Sequence, residues 1–266
     1  MITSINNPRI KHLVELQTKS RTRNKENLFV VEGFKMFIEA PLNLIKEVYI
    51  DEALGFMKSN ASTNNEAALA KIKECQKRDI IVEEVTKEVL KKAANTETPQ
   101  GIIFVMQKLG YKIEDIIGKN ILILEDIQDP GNLGTMIRTG EGAGISGILM
   151  TKGTVDIYNP KTVRSTMGSL YRVPFVYTDD LREAVDIIKN AGVKVYAAHL
   201  KGEHFYNDIQ YGAQSAFLIG NEGNGLTDEA AALADEYIKI PMDGQLESLN
   251  AAVAAAILMY EARNKI

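Results

Sequence analysis

No apolar run in this chain approaches the roughly 20 residues that span a bilayer, and its polar N-terminus is not a signal peptide, so neither a membrane span nor a secretory leader is expected. The single cysteine, Cys75, excludes an intrachain disulfide, and its surroundings, Ala70 to Lys77, read as an amphipathic helix carrying a structural thiol. His12, His199 and His204 show no ligand spacing with that cysteine or with one another, so no metal centre is expected. A Ser-His-Asp set, a pair of catalytic carboxylates and a Walker loop are all missing, which leaves hydrolase and kinase readings without parts. A cytoplasmic protein is the compartment these absences favour.

Positive charge is also scarce: 31 basic against 35 acidic residues give a net charge of -4, which argues against a generally cationic nucleic-acid binder. The distribution is uneven. Residues 1–35 hold seven cations (Arg9, Lys11, Lys19, Arg21, Arg23, Lys25, Lys35) against three glutamates, so this segment is +4 and the remainder -8. A local basic footprint thus sits on an acidic body, with Arg9, Lys11, Lys19, Arg21, Arg23 and Lys25 as candidate nucleic-acid contacts.

At 266 residues the chain accommodates two modest domains, each with its own core. In the first hundred residues, short apolar runs (Leu28–Val31, Glu47–Ile50, Ile80–Val82, Gly101–Met106) alternate with helical patterns, predicting a small α/β unit over 1–106. Residues 107–118, with Gly110 and Gly118, read as a linker. From 119 to 266 the alternation is regular, with strands predicted at Ile121–Leu124, Gly147–Met150, Val173–Tyr177, Val193–Ala198, Ala216–Ile219 and Tyr237–Ile240. Continuous apolar strands separated by helices predict a mostly parallel sheet covered on both faces. The last helix repeats Leu249, Ala252, Val253, Ala256, Ile257 and Tyr260 at three and four residues, a face suited to close packing against a second subunit.

Three polar, glycine-containing blocks stand out: Asp126 to Arg138, Leu218 to Leu226, and Ile240 to Ala256. Each joins a strand to a helix, and ligands of open α/β sheets bind at the carboxyl ends of strands. In the first, Asn132 is suited to cap a helix that leaves Arg138 two turns on and off the apolar stripe, where its guanidinium could grip a phosphate or ribose. In the second, three glycines let backbone groups approach a flat ligand, but they do not account for Glu222. In the third, Ser248 reads as the N-cap of the last helix, with Asn250 in its first turn. Gly140-Glu-Gly-Ala-Gly144 mimics a dinucleotide fingerprint, but it lies about fifteen residues beyond its strand and reads as a helix C-terminus.

In this order and near the C-terminus, the blocks resemble motifs one, two and three of the SpoU (TrmH-like) RNA 2'-O-ribose methyltransferases of the SPOUT superfamily. The similarity extends to Asn159-Pro-Lys-Thr-Val-Arg-Ser-Thr-Met-Gly-Ser169, to Ile5–Lys11 and to Arg23–Gly33, covering essentially the whole chain. It implies an α/β fold whose C-terminal domain carries a deep trefoil knot, a ribosomal-protein-like RNA-binding N-terminal domain, and an active site formed across a homodimer. It implies S-adenosylmethionine as cofactor, held around Gly220, Asn221, Ile240, Met242 and Leu249, with Asn132, Arg138, Glu222, Ser248 and Asn250 at the functional positions. On that basis Arg138, with the RNA phosphate beside it, would stabilise the developing 2'-oxyanion while Ser248 and Asn250 orient it. The two-domain layout favours 23S ribosomal RNA over tRNA as substrate. The alternatives are a tRNA ribose methyltransferase and a catalytically silent RNA-binding or assembly factor. A small-molecule Rossmann methyltransferase is disfavoured by the displaced glycine pattern.

Overall fold

The structure is a computed structural model that describes residues 1–52 and 63–265. They form two compact units, Met1–Leu109 with Tyr158–Tyr171, and Gly110–Ile157 with Arg172–Ile266. Among the described residues no helix is long and apolar enough to cross a membrane.

The first unit opens with α1 (Pro8–Thr18) and α2 (Ser20–Glu26), followed by β1 (Leu28–Glu32), α3 (Phe34–Glu39), β2 (Ile45–Asp51), α4 (Thr63–Lys77), β3 (Ile81–Val85), α5 (Lys87–Ala93) and β4 (Ile102–Gln107). The strands form one sheet in the order β1-β4-β2-β3, antiparallel except for the β2–β3 pair. Neither α1 nor α2 stands out in a segment dominated by charge, yet Pro8 at the first helical turn and Asn7 accepting from the Arg9 N–H (2.9 Å) start α1 cleanly. Its Ile10, Leu13 and Leu16 are buried against Val30, Tyr49, Ile103 and Val105 of the sheet.

This packing corrects the reading of Arg23 as an RNA contact. Arg23 is only 4% exposed, and its guanidinium donates to the Leu16 (2.8 Å) and Gln17 (3.0 Å) carbonyls, which the end of α1 would otherwise leave unsatisfied. Lys11, Arg21 and Lys25 are exposed; Arg9 and Lys19 are exposed too but paired with Glu83 (2.8 Å) and Glu15 (2.8 Å).

In the second unit, α6 (Ile113–Ile116), β5 (Asn120–Leu124), α7 (Pro130–Ala143), β6 (Gly147–Thr151), β7 (Phe175–Thr178), α9 (Leu181–Asn190), β8 (Lys194–Ala198), β9 (His204–Phe205), β10 (Ser215–Ile219), α10 (Asp228–Ala231), β11 (Glu236–Lys239) and α11 (Ala251–Asn264) follow in order. Between β6 and β7 the chain contributes α8 (Pro160–Ser165) to the first unit. The seven strands are parallel, in the order β7-β6-β5-β10-β8-β11-β9. One face of the sheet, with Ile121, Ile123, Val195, Ala216 and Leu218, packs on Ile116, Val185, Ile188 and Ala230 of α6, α9 and α10. On the other, α11 lies along α7 and over β5 and β10. Helices therefore cover both faces, as all-parallel strands require.

Two boundaries differ from the sequence reading. The stretch taken as a linker is structured: Gln107 ends β4, and Ile116 is fully buried in the core of the second unit, where Gly147 leaves room for it. Tyr158–Tyr171, expected inside the C-terminal domain, belongs to the first unit. There the Tyr158 ring meets Phe29 at 4.5 Å and its hydroxyl donates to the Leu109 carbonyl (2.9 Å). Gly144, in the left-handed region at φ +78°, terminates α7, so the Gly140–Gly144 pattern is a helix end.

Replacing Arg23 with Met should lower the unfolding free energy by about 1.5–3 kcal/mol, the range for buried hydrogen bonds to a charged group. Arg21→Gln should leave it within about 0.5 kcal/mol. Urea denaturation of both variants measures the difference; equal midpoints would remove the structural role assigned to Arg23.

Candidate active site

Parallel strands send all their carboxyl ends to one edge, and β5, β10, β8 and β11 are neighbours in the sheet. The loops that leave them meet there, and the sheet order reverses between β5 and β10, the position at which open α/β sheets bind ligands. A cavity of about 280 Å³ opens at this edge. Gly220, Asn221, Ile240, Met242 and Leu249, the residues assigned to cofactor binding, all line it, as do Glu222 and Ser248. Sequence reading missed Ala198, His199 and Leu200, which line it from the end of β8; a strand end on the same edge was the available signal.

The loop after β10 folds back on itself. The Asn221 and Gly225 backbones exchange N–H to C=O bonds (3.0 and 2.9 Å), and the Asn221 Oδ1 accepts from the Gly223 (2.9 Å) and Asn224 (3.1 Å) amides. Gly225 sits at φ +71°. A Cβ on Gly220 would fall 2.2 Å from the Gly225 carbonyl carbon and 2.3 Å from the Leu226 nitrogen, so only glycine lets the loop close there.

Glu222 joins the three blocks. Its carboxylate accepts from the backbone N–H groups of Gln128 (2.9 Å) and Asp129 (3.0 Å) and from the Asn132 side-chain amide (3.0 Å). The Asn132 Oδ1 in turn accepts from Asn250 Nδ2 (3.0 Å), and the Asn250 Oδ1 accepts from the Ala252 (2.9 Å) and Val253 (3.2 Å) amides at the start of α11. Partial burial pushes the Glu222 carboxyl up, but the Gln128 amide, the Asn132 side chain and the Asp129 amide outweigh it and hold the group below the ordinary carboxylate range. A carboxylate so engaged stays ionised and acts as a fixed acceptor.

Both predicted caps are displaced. Asp129, not Asn132, caps α7, accepting from the Asn132 amide (2.8 Å), because Pro130 sets the first helical position one residue after it. Asn250, not Ser248, caps α11. The Asn250 side chain is thereby engaged with the protein, its Oδ1 on α11 and one Nδ2 donor on Asn132. Ser248 and Arg138 are both exposed, and neither side chain makes a hydrogen bond or ion pair with the described residues.

Three further side chains brace the loop after β5. Glu125, 8% exposed at the end of an apolar strand, accepts from the Thr227 N–H (2.9 Å) and hydroxyl (2.7 Å). Asp126 lies at φ +52°; its carbonyl accepts from Asn221 Nδ2 (2.8 Å) and Gln128 Nε2 (3.1 Å), and its carboxylate accepts from the Thr151 hydroxyl (2.6 Å). Gln128 Nε2 also reaches the Gly153 carbonyl (2.7 Å). None of these was a sequence candidate, although Glu125 ending four apolar residues was a readable sign.

Residues 119–260, which hold every element of this site, match the SpoU rRNA Methylase family. The chain belongs to that family. Residues 7–103 match the MRM3-like substrate binding domain. The SpoU chain is 34% identical over 264 residues to the 23S rRNA (guanosine(2553)-2'-O)-methyltransferase RlmP of Bacillus subtilis, covering 98% of each sequence. It is also similar to two crystal structures of rRNA methyltransferase from Sinorhizobium meliloti, one AdoMet-bound, at 32% identity and TM-scores of 0.85 and 0.84. These cover 99% of this chain and 96% and 97% of the others.

The depressed Glu222 group gives this SpoU site a pH signature. Its contribution to stability is complete above the unfolded carboxylate pKa and is lost as pH falls through the lower folded value. The melting-temperature advantage of the wild type over Glu222→Gln should therefore be constant near neutrality and shrink below about pH 4.5, the ordinary value. An advantage unchanged by acid would contradict the ionised-acceptor assignment.

Proposed function

We propose that this chain transfers a methyl group from S-adenosylmethionine to a ribose 2'-hydroxyl of RNA, with large-subunit ribosomal RNA as the substrate. The observation that carries the reading is the Glu222–Asn132–Asn250 chain, which ties three blocks distant in sequence together beside a cavity lined by the second and third of them and by the end of β8. The near-full-length similarity to RlmP and to the Sinorhizobium enzymes supports the ribosomal substrate. An enzyme described by 2-OH methylation of C/U34 on tRNA aligns with only 56% of this chain, at a TM-score of 0.52.

S-adenosylmethionine would supply an electrophilic methyl group for in-line attack. The chain's own residues do the rest. Gly220 lets the loop close on itself at the cavity edge where a flat adenosyl group would lie, with Ile240, Met242 and Leu249 offering apolar cover. Glu222, Asn132 and Asn250 are positioning residues: they fix the starts of α7 and α11 and so place Arg138 on one and Ser248 before the other. Arginine keeps its proton at all working pH values and is a poor base. Arg138, uncommitted to the protein, therefore binds the RNA backbone beside the reacting ribose and stabilises the oxygen as it loses its proton.

The exposed apolar residues Val253 and Tyr260, on the side of α11 away from its buried Ala251, Ala255 and Leu258 stripe, support a homodimer through this helix. A trefoil knot in the second unit, RNA contacts from Lys11, Arg21 and Lys25, and a cytoplasmic location complete the proposal.

The test is transfer of labelled methyl from S-adenosylmethionine to deproteinised ribosomal RNA and to tRNA. Wild type should label large-subunit RNA, Arg138→Ala should lower kcat by about 10²–10³-fold, as loss of a charge-stabilising donor does, and Gly220→Ala should raise KM for the cofactor. Labelling of tRNA alone would overturn the substrate, and no transfer to any RNA would leave a silent RNA-binding factor.

A further inference from the structure

The segment Tyr158–Tyr171 is sequence of the methylase half that packs in the substrate-binding unit. We infer that it is an RNA-binding element, in which Met167 seats an unstacked base and Arg164 the adjoining phosphate. The inference rests on the proposed RNA methyltransferase activity and goes beyond it by naming a substrate contact outside the methyl-transfer site.

The element has two sides. Thr162, Val163 and Thr166 are buried, Val163 beside Val30 and Gln17, and the Thr166 hydroxyl donates to the Val163 carbonyl (2.7 Å), so this side is anchored to the unit and internally satisfied. Lys161, Arg164 and Met167, spaced by three, form the exposed side. The Arg164 guanidinium makes no hydrogen bond or ion pair with the described residues. Glu32 is close by, lining the same shallow depression, but its carboxylate already accepts from the Thr96 hydroxyl and the Asn95 N–H.

Met167 is the decisive residue. It sits at φ +52°, a backbone conformation that favours glycine, with 38% of its surface exposed, and it is followed by Gly168 at φ +100°. The turn is held by the Met167 N–H to the Arg164 carbonyl (3.3 Å), the Ser169 N–H to Thr166 (3.1 Å) and the Tyr171 N–H to Gly168 (3.1 Å). Glycine would adopt this backbone conformation without strain, so the turn itself does not call for a long, partly exposed apolar side chain here. With Arg164 three residues before it, it fits a single-stranded nucleotide, whose base offers a flat apolar face and whose phosphate pairs with arginine. The positive charge beside it favours RNA over an apolar protein partner.

Full-length wild type, Met167→Gly and Arg164→Gln would be titrated by fluorescence anisotropy with deproteinised large-subunit RNA and with a short labelled oligoribonucleotide, single-stranded and as duplex. Met167→Gly should melt close to wild type, because glycine relieves the backbone, yet bind the single strand about five-fold more weakly, the low end of what loss of a base-stacking contact costs. Arg164→Gln should weaken binding similarly and reduce the slope of log affinity against log salt by about 0.7, one phosphate on a single strand. In methyl transfer, both should raise KM for RNA and leave KM for S-adenosylmethionine unchanged. If wild type binds and methylates RNA but the variants match it, the inference falls. It falls equally if Met167→Gly changes the sedimentation coefficient, which would make Met167 a contact between copies of the chain. If wild type neither binds nor methylates any of these RNAs, the proposed function fails first and takes this inference with it.

Discussion

A carboxylate can only accept hydrogen bonds, and that one-way property of Glu222 fixes the geometry of the whole site. Because Glu222 must accept, Asn132 must present its Nδ2; its Oδ1 then has to be the acceptor for Asn250 Nδ2. That leaves the Asn250 Oδ1 to meet the first free amides of α11. Neither asparagine can turn over without breaking a bond on both sides. The chain ends on backbone N–H groups at the starts of two helices, Gln128 and Asp129 before α7 and Ala252 and Val253 in α11. Such groups are left unsatisfied by helix geometry and carry the positive end of the helix dipole, so an anion placed among them is doubly favoured.

The fold is arranged to make this possible. Loops from β5, β10 and β11 can meet only because an all-parallel sheet puts their exits on one edge, and β10 between β5 and β8 brings the Glu222 loop beside the start of α7. The surrounding bracing serves the same end. Glu125 holds Thr227 and hence the start of α10, while the Asp126 carbonyl, presented by a left-handed backbone, is shared by Asn221 and Gln128. The polar side chains Glu125, Asp126, Gln128, Asn132, Asn221, Glu222 and Asn250 are thus engaged within the protein. The glycine loop and Ile240, Met242 and Leu249 form its wall.

Apart from the short, exposed β9, the strands of both units and the three blocks were legible because burial on both faces of a sheet leaves continuous apolar runs, and because close backbone approach demands glycine. What escaped the sequence was the choice among equivalent polar residues. Asp129 and Asn132 both cap well, as do Ser248 and Asn250, and one-dimensional spacing does not say which side chain is turned into a helix and which across to another loop. The charge count of residues 1–35 misled for a related reason. Arg23 is as cationic as Arg21, but it follows the turn between α1 and α2 and points back at the carbonyls of α1. The domain boundary failed where the chain doubles back: a contiguous reading cannot show that Tyr158–Tyr171 leaves one core to join another.

The contrast between Glu222 and Arg138 separates structure from chemistry in this site. Glu222 looked functional because a carboxylate beside a glycine loop has no evident structural duty, yet with three donors upon it the group has little capacity left for a substrate proton. Arg138 looked dispensable to the fold and is: it projects from α7 with no partner among the described residues, on a helix whose start is locked by Glu222. Flexible cations gain most from a bidentate phosphate when the element carrying them is rigid, since less freedom is lost on binding. In the proposed function the ordered carboxylate and the unpaired guanidinium are therefore two halves of one device, the first holding still the helix from which the second reaches.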